Sequence, residues 1–581
     1  MATKRGIQYI PAIDGLRAIA VMAVLLYHLG FDWIPGGFLG VDLFFVISGY
    51  VITRLLLDSI EISGGLDLAA FYLARIRRLL PPLVFMVVTT ILAVGIWAPD
   101  TIKRLLLDTP FALTGTMNWW LVGRHLDYFE AIGRPSLLQH TWSLAVEAQF
   151  YFLWPLILLL VLKWFGKKRV AIASLGIAAA SGLTLLFVSF SLDAANAASV
   201  SHVYFGTDTH SIGLFLGAAL AVSWVPQNFN EVVSRKAQNF IDSIGVVGFL
   251  GILASFLLID ESQPTLYKIA FPLAGLCGAA IITSVVHPAS RFAPILQSRI
   301  LLWIGERSYA IYLWHWVIFQ VTRPSIDLEG RSWALYALRI LIVFALADIS
   351  LRLVELPIRR GVVKYWFKGL KYRTAEKRKS QQRKFLALTL ILIIAATSIS
   401  TRAISISNQR EVEFKASFEE PPPAPIIETD TGIWLTGDSV ILGIRSALGE
   451  QFPLSLINAR VGRQADELLV EILQDLPGAP SGPVVLNLGN NGALREDQIV
   501  AIFDALSQRE QIITVDTAVP RPWRDRNNEL IASISSRYNN VDVVKWSEIS
   551  EGHPEYFAPD GVHLVGAGVT VYVQAISEFL G

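Results

Sequence analysis

Glu419-Glu420-Pro421-Pro422-Pro423-Ala424-Pro425 divides this 581-residue chain into two kinds of sequence. Its prolines favour a semi-rigid, extended spacer, so the stretch marks a domain boundary. On its N-terminal side lie apolar runs near residues 12–30, 38–57, 79–97, 143–165, 170–192, 211–225, 241–259, 267–286, 309–321, 333–353 and 385–404. A hydrocarbon core of about 30 Å can be crossed only by helices or closed barrels, so these runs predict a multi-pass α-helical membrane bundle of about 11 transmembrane helices. On its C-terminal side, strand-like runs at 433–436, 454–457, 484–488, 512–516 and 541–544 alternate with helical patterns near 440–449, 466–476, 496–507, 527–537 and 565–580. That alternation predicts one soluble α/β domain with a parallel sheet. The boundaries read 1–380 for the membrane domain, 381–405 for a final transmembrane helix, 406–430 for the spacer and 431–581 for the soluble domain.

Composition agrees with a chain held mostly in lipid: 53% of residues are hydrophobic and 17% charged, which excludes a string of ordinary soluble domains. Lys4 and Arg5 precede the apolar run 19–26, but no small-residue cleavage pattern follows, so the first segment reads as a retained span. The only cysteine, Cys277, has no partner, which leaves disulfides, thiol catalysis and Cys-based metal sites unsupported. The net charge of +1 hides an asymmetry: from Asp430 onward there are about ten basic and about twenty acidic residues, so the membrane half is basic. No stretch resembles a nucleic-acid surface.

Basic loops set the expected orientation. Arg75, Arg77 and Arg78, then Lys167 to Arg169, Arg235 with Lys236, and Arg291, Arg299 with Arg307 precede alternate spans, on the side of the N-terminus. Positive loops face the cytoplasm, and an odd number of spans then carries the C-terminal domain outside. A complete crossing at 111–121 would reverse everything downstream, and the later loop charges argue against one.

The soluble domain carries a reactive constellation. Ser439, in Gly437-Asp438-Ser439, falls where the first strand ends and a helix begins, the edge at which open α/β sheets bind ligands. A serine hydroxyl needs a base to become a nucleophile, and His563 can serve if Asp560 fixes its tautomer. The Ser439 and Gly462 backbone N–H groups and the Asn491 side-chain amide are the expected oxyanion donors. A lone Gly-Asp-Ser is most often a turn. In the membrane half, Arg17 and His28 lie eleven residues apart, about 16 Å along one helix face. Such a face can hold a phosphate-bearing donor through the arginine while the histidine reaches the reacting carbonyl or accepts a proton. The plain alternatives are a snorkelling arginine, a histidine that satisfies a polar neighbour, and a positive-inside anchor at Arg75 and Arg78.

Four ordered blocks in the tail, Gly437-Asp438-Ser439, Gly462, Gly489 to Asn491 and Asp560 to His563, resemble the SGNH hydrolase/esterase family, which implies a flavodoxin-like α/β fold. Val440 after the serine, with Val461-Gly462-Arg463-Gln464, is similar to the tails of Gram-positive peptidoglycan O-acetyltransferases. Asp14 to Arg17 through His28, Gly40 to Tyr50, Arg75 to Pro81, His140 to Glu147, Ser308 to Trp316 and Val354 to Pro357 resemble the acyltransferase-3 family of membrane O-acyltransferases. That resemblance implies a cytoplasmic acyl-CoA donor, usually acetyl-CoA, an extracytoplasmic glycan acceptor, surrounding membrane lipid and no metal. It assigns His28 a catalytic role, Arg17, Arg75 and Arg78 the coenzyme, and Glu147 an acid in the membrane core. Ala148 stands where relatives carry a second glutamate, and His210 where they often carry arginine. His315, between Trp314 and Trp316, ranks below His28 as a candidate, and its plain alternative is an interfacial aromatic anchor. The expected activity is O-acetylation of peptidoglycan by a bacterial inner-membrane enzyme. The alternatives are lipopolysaccharide, capsule or another envelope glycan as acceptor, or a membrane carrier or sensor joined to an autonomous esterase or glycan-binding tail.

Overall fold

The computed structural model describes the chain except residues 1–8, 32, 125–134, 192–196, 260–263, 325–326, 329–331, 363–364, 366–368, 370–371, 419–430, 461, 522, 559–560 and 581. It divides into two compact units, with the break between Ile404 and Ser405.

The first unit is helical. Helix α1 (Pro11–His28) begins with proline at its first turn, α2 (Gly40–Ser63) ends at left-handed Gly64, and α3 (Leu68–Trp97) is capped by Asp67, whose carboxylate accepts the Ala70 N–H at 2.9 Å. Helices α4 (Trp142–Phe165) and α5 (Arg299–Val321) complete the set that builds the site below. Glycines let these helices close on one another: a Cβ on Gly217 would come within 2.7 Å of the Tyr50 nitrogen, so the helix Ile212–Ser223 can pack backbone to backbone on α2. Outward faces are apolar, with Phe152, Leu156, Leu183 and Phe187 exposed, as lipid requires.

Among the described residues, nine helices are long and apolar enough to cross a membrane, two fewer than the expected eleven. The run at 211–225 is a twelve-residue helix, about 18 Å long and short of a full crossing. The run at 309–321 is the second half of α5, whose first half carries Arg299, Glu306 and Arg307 and lowers its mean hydropathy. The 111–121 segment forms no continuous span; it breaks at left-handed Gly115 between the short helices Ile102–Thr114 and Met117–Gly123. Arg75, Arg77 and Arg78, expected in a loop before the third span, lie inside α3. The last helix runs Ala375–Phe418, so helix replaces the first part of the expected spacer, where no proline or glycine interrupts it. The proline run itself lies outside the described residues.

The second unit is a parallel five-stranded sheet, β1 (Ile433–Gly437), β2 (Leu454–Ala459), β3 (Val484–Asn487), β4 (Ile512–Val515) and β5 (Val541–Val544), in the order β2-β1-β3-β4-β5. This is the flavodoxin-like order expected from the sequence. Alternate residues feed two cores. Leu435, Val485 and Ile513 pack with the C-terminal helix Ala567–Leu580, whereas Trp434, Val484, Leu486 and Ile512 pack on the opposite face. Helices on both faces bury β1, β3 and β4. Chain reversal between β1 and β3 opens the crevice where such folds bind ligands.

Candidate active sites

The second unit's site begins with the turn out of β1. Gly437 adopts φ 149°, a conformation side chains disfavour, and brings the chain directly into α6 (Ser439–Gly449). Asp438 caps that helix, its Oδ1 accepting the Val440 N–H at 2.9 Å. Ser439 is therefore presented at a helix N-terminus, where developing negative charge is favoured. Its Oγ lies 2.8 Å from His563 Nε2, and the two residues are 1% and 2% exposed. His563 is placed by the loop before the last helix: its carbonyl accepts the Ala558 N–H at 2.7 Å, and Phe557 bridges Leu564. For Nε2 to accept the serine proton the ring must carry its hydrogen on Nδ1. Asp560, the expected orienting carboxylate, lies outside the described residues.

Of the expected oxyanion donors, Asn491 reaches the same turn through its contact with Asp438. Gly462 sits at φ 75° in the loop after β2, and Asn491 follows β3. Among the described residues, the Asn491 amide donates over long contacts, 3.3 Å to the Arg463 carbonyl and 3.4 Å to Asp438 Oδ2, a loose hold that a developing oxyanion can replace. Gln464 donates to the Asn491 carbonyl at 2.9 Å and so ties the two loops. The left-handed turn at Gly489 (φ 92°) is held by Trp523 and Asn527, which donate to its carbonyl at 3.2 and 3.0 Å.

Sequence reasoning missed the part played by Asp438. Its carboxylate accepts Asn490 at 3.0 Å as well as Asn491 and Val440, so it ties the loop after β3 to the serine turn. Burial outweighs these donors and pushes its carboxyl up to about 6. The signal was present in the unbroken Gly-Asp-Ser and Asn-Asn pairs, but which amide points where depends on the fold.

In the first unit a cavity of about 990 Å³ opens among α1 to α5. Arg17, Arg75, Arg78 and Glu147, four of the expected residues, all line it, together with Ser48 and Tyr151. Arg17 pairs with Asp14 at 3.3 Å, and Tyr9 donates to the same carboxylate at 2.6 Å. The Ser48 hydroxyl donates to Glu147 Oε1 at 2.6 Å, and Tyr151 donates to Glu147 Oε2 at 3.1 Å. Among the described residues, Arg75 Nε is buried without a hydrogen-bond acceptor. An unsatisfied guanidinium N–H beside two further arginines is the donor set that phosphate oxygens need, so the cavity fits a phosphate-bearing acyl donor.

His28 does not line this cavity. It stands at the far end of α1, with its Nδ1 3.1 Å from Nε2 of His315. His315 is fully buried, with Nδ1 2.7 Å from the Tyr312 carbonyl, a position unlike the plain alternative of an interfacial anchor. On a helix as apolar as α5, the flanking tryptophans mimic an interface signal, and only packing reveals that this face points inward. His140 joins the group, its ring centroid 5.7 Å from that of His315. His210 stacks on Phe271 and meets the buried carboxylate of Asp42 at 3.1 Å. Tyr151 and His140 were not singled out for the membrane site, because the place of each depends on a neighbour from another helix.

A membrane bundle with a polar cavity, followed by an α/β unit with a serine–histidine pair, defines a membrane-bound group-transfer enzyme. Residues 10–352 match the model of the acyltransferase domain (Acyl_transf_3), and the chain belongs to this family. It is 33% identical to the peptidoglycan O-acetyltransferase OatA of Listeria monocytogenes, over 100% of this chain and 99% of that protein. The O-acetyltransferase OatA of Staphylococcus aureus MRSA252 is 35% identical over 97% of this chain and 94% of its own. A solved C-terminal catalytic domain of the Streptococcus pneumoniae peptidoglycan O-acetyltransferase A is similar at 22% identity, covering 26% of this chain and 91% of that domain, with a TM-score of 0.24.

Proposed function

We propose that this protein O-acetylates cell-wall peptidoglycan, taking acetyl from cytoplasmic acetyl-CoA in the membrane unit and transferring it from the C-terminal unit. The observation that carries the reading is the 2.8 Å contact between Ser439 Oγ and His563 Nε2, with the loosely held Asn491 amide on the neighbouring Asp438, in a chain whose full-length relative bears the name peptidoglycan O-acetyltransferase. The Ser439 oxygen attacks the acyl carbonyl while its proton passes to His563, and the tetrahedral oxyanion is held by the Ser439 and Gly462 N–H groups and the Asn491 amide. Collapse expels the donor group, which takes the proton from His563, and leaves an acyl-serine. His563 then takes the proton of a sugar hydroxyl, whose oxygen attacks the acyl-serine, and returns that proton to the Ser439 oxygen as the ester bond to it breaks. Asp560 holds the histidine tautomer, and burial of the pair disfavours water as the competing acceptor.

On the donor side, Arg17, Arg75 and Arg78 hold the phosphates of the acyl-CoA, Glu147 acts in the membrane core and His28 is the catalytic histidine. The N-terminus lies in the cytoplasm of a bacterium and the C-terminal domain outside its cytoplasmic membrane, as the basic loops favour. Residues 1–380, 381–405 and 431–581 are the acyltransferase domain, the last span and the SGNH domain, and 406–430 joins the last two, beginning as a continuation of the helix.

Base-releasable acetate on wall glycan tests the reading in cells carrying wild type, Ser439→Ala or His28→Ala at equal protein level. Loss in both variants is expected. Wild-type acetate with Ser439→Ala would leave the tail a glycan-binding module, and acetate confined to lipopolysaccharide or capsule would replace the acceptor.

A further inference from the structure

The histidine pair in the membrane unit has a defined direction. His315 Nδ1 lies 2.7 Å from the carbonyl oxygen of Tyr312, and a carbonyl only accepts, so the hydrogen of the His315 ring sits on Nδ1. The Nε2 atom of a neutral His315 is then a bare lone pair. Nδ1 of His28 lies 3.1 Å from it, and two lone pairs cannot share a hydrogen bond, so His28 must donate through Nδ1–H. A neutral His28 in that tautomer keeps its basic lone pair on Nε2.

The reverse direction would need a charged His315. That ring is 0% exposed, and among the described residues no carboxylate lies within ion-pair distance of either histidine. A buried imidazolium without a counter-ion is disfavoured in an apolar bundle. The anchor itself is braced: the Tyr312 hydroxyl donates to the His140 carbonyl at 2.9 Å and shares a 2.6 Å hydrogen bond with Ser143, which fixes the turn of α5 whose carbonyl orients His315.

We propose that His315 is a positioning residue that holds His28 as its Nδ1–H tautomer and so makes Nε2 the atom that accepts a proton in acyl transfer. The proposal deepens the reading of His28 given above and rests on it. When Nε2 takes up a proton, the resulting charge is shared across the same contact, because His315 Nε2 remains an acceptor for the Nδ1–H.

Two near-isosteric replacements separate positioning from packing. In Gln the terminal Oε1 reaches the place of the ring Nε2 and can accept from His28, whereas Asn matches Nδ1 and cannot reach His28. In full-length protein at equal membrane level, His315→Ala and His315→Asn are expected to lower wall acetate by about 100-fold, the scale of a lost acid–base function, with His315→Gln within about threefold of wild type. Side-chain nitrogen NMR of the histidine-labelled protein in detergent reads the tautomer directly: His28 is expected with its hydrogen on Nδ1 in wild type and His315→Gln, and as a tautomer mixture in His315→Asn. Asn equal to or better than Gln, or a wild-type His28 protonated on Nε2 alone, overturns the proposal. Wild-type acetate with His28→Ala overturns the reading beneath it as well, and that result is distinct from a failure confined to His315.

Discussion

Ser439 and His563 lie 124 residues apart, yet each stands next to an element end that its own short motif specifies, one after β1 and the other before the last helix. In the membrane unit, the polar residues come from five helices, and none of the contacts Ser48–Glu147, His28–His315 or Ser143–Tyr312 joins residues of one motif. The difference teaches where a site's information is held. A strand-to-helix turn dictates the position of its serine through glycine geometry and capping, so the local sequence carries the chemistry. A helix fixes only which residues share a face, and which face meets which neighbour is decided by packing.

The comparison makes its sharpest claim about Ser439. Replacing it with Ala removes the nucleophile itself, and wall acetate is expected to fall by about 1,000-fold or more. Retention of even a tenth would mean that the motif-coded site is not the transferring one. A smaller loss is expected at Glu147, whose carboxylate accepts both Ser48 and Tyr151. Glu147→Gln leaves a single acceptor oxygen and should lower acetate by about 10–100-fold, with Ser439 still reactive toward a small activated acetyl ester. If that ester also fails, the two sites are not separable as described.

Arg75→Ala with Arg78→Ala tests whether the cavity binds phosphate. Loss of charge-assisted hydrogen bonds should raise the KM for acyl-CoA by about tenfold in membrane preparations and leave kcat nearly unchanged. A fall in kcat alone would move these arginines from binding to the chemical step.

A further expected effect falls on stability rather than on turnover and concerns Asp438. Burial raises its carboxyl to about 6, above the unfolded value of 3.8, so the native state holds this proton more tightly than the unfolded chain. The stabilisation is complete below pH about 4 and is lost as pH rises through about 6, up to about 3 kcal/mol. Asp438→Asn should therefore gain resistance to pulse proteolysis in the C-terminal unit at pH 8 and little at pH 4. Equal gains at both values would show that the carboxylate is not the cause.

Period and composition were enough for the two-part architecture. Buried strands read as short apolar runs because helices cover both faces of the sheet, and β1 to β5 appear within two residues of where the runs fall. Span counting was less secure, since the helix Ile212–Ser223 is apolar but short and α5 is long but charged at one end. Arg17, Arg75, Arg78 and Glu147 were legible from their resemblance to family motifs, and the cavity joins them. His315 ranked below His28 because its flanking tryptophans are equally compatible with an interface and a core.

Sequence alone determined the class of each half and picked out Ser439 and His563, because hydrophobic period, glycine-dependent turns and helix caps act over a few residues. Tertiary structure alone decided that Ser48 meets Glu147, that His28 meets His315 and that Asp438 braces Asn490. Those contacts depend on helix rotation and loop closure, and in a bundle where nearly every face is apolar no short-range force selects one rotation over another.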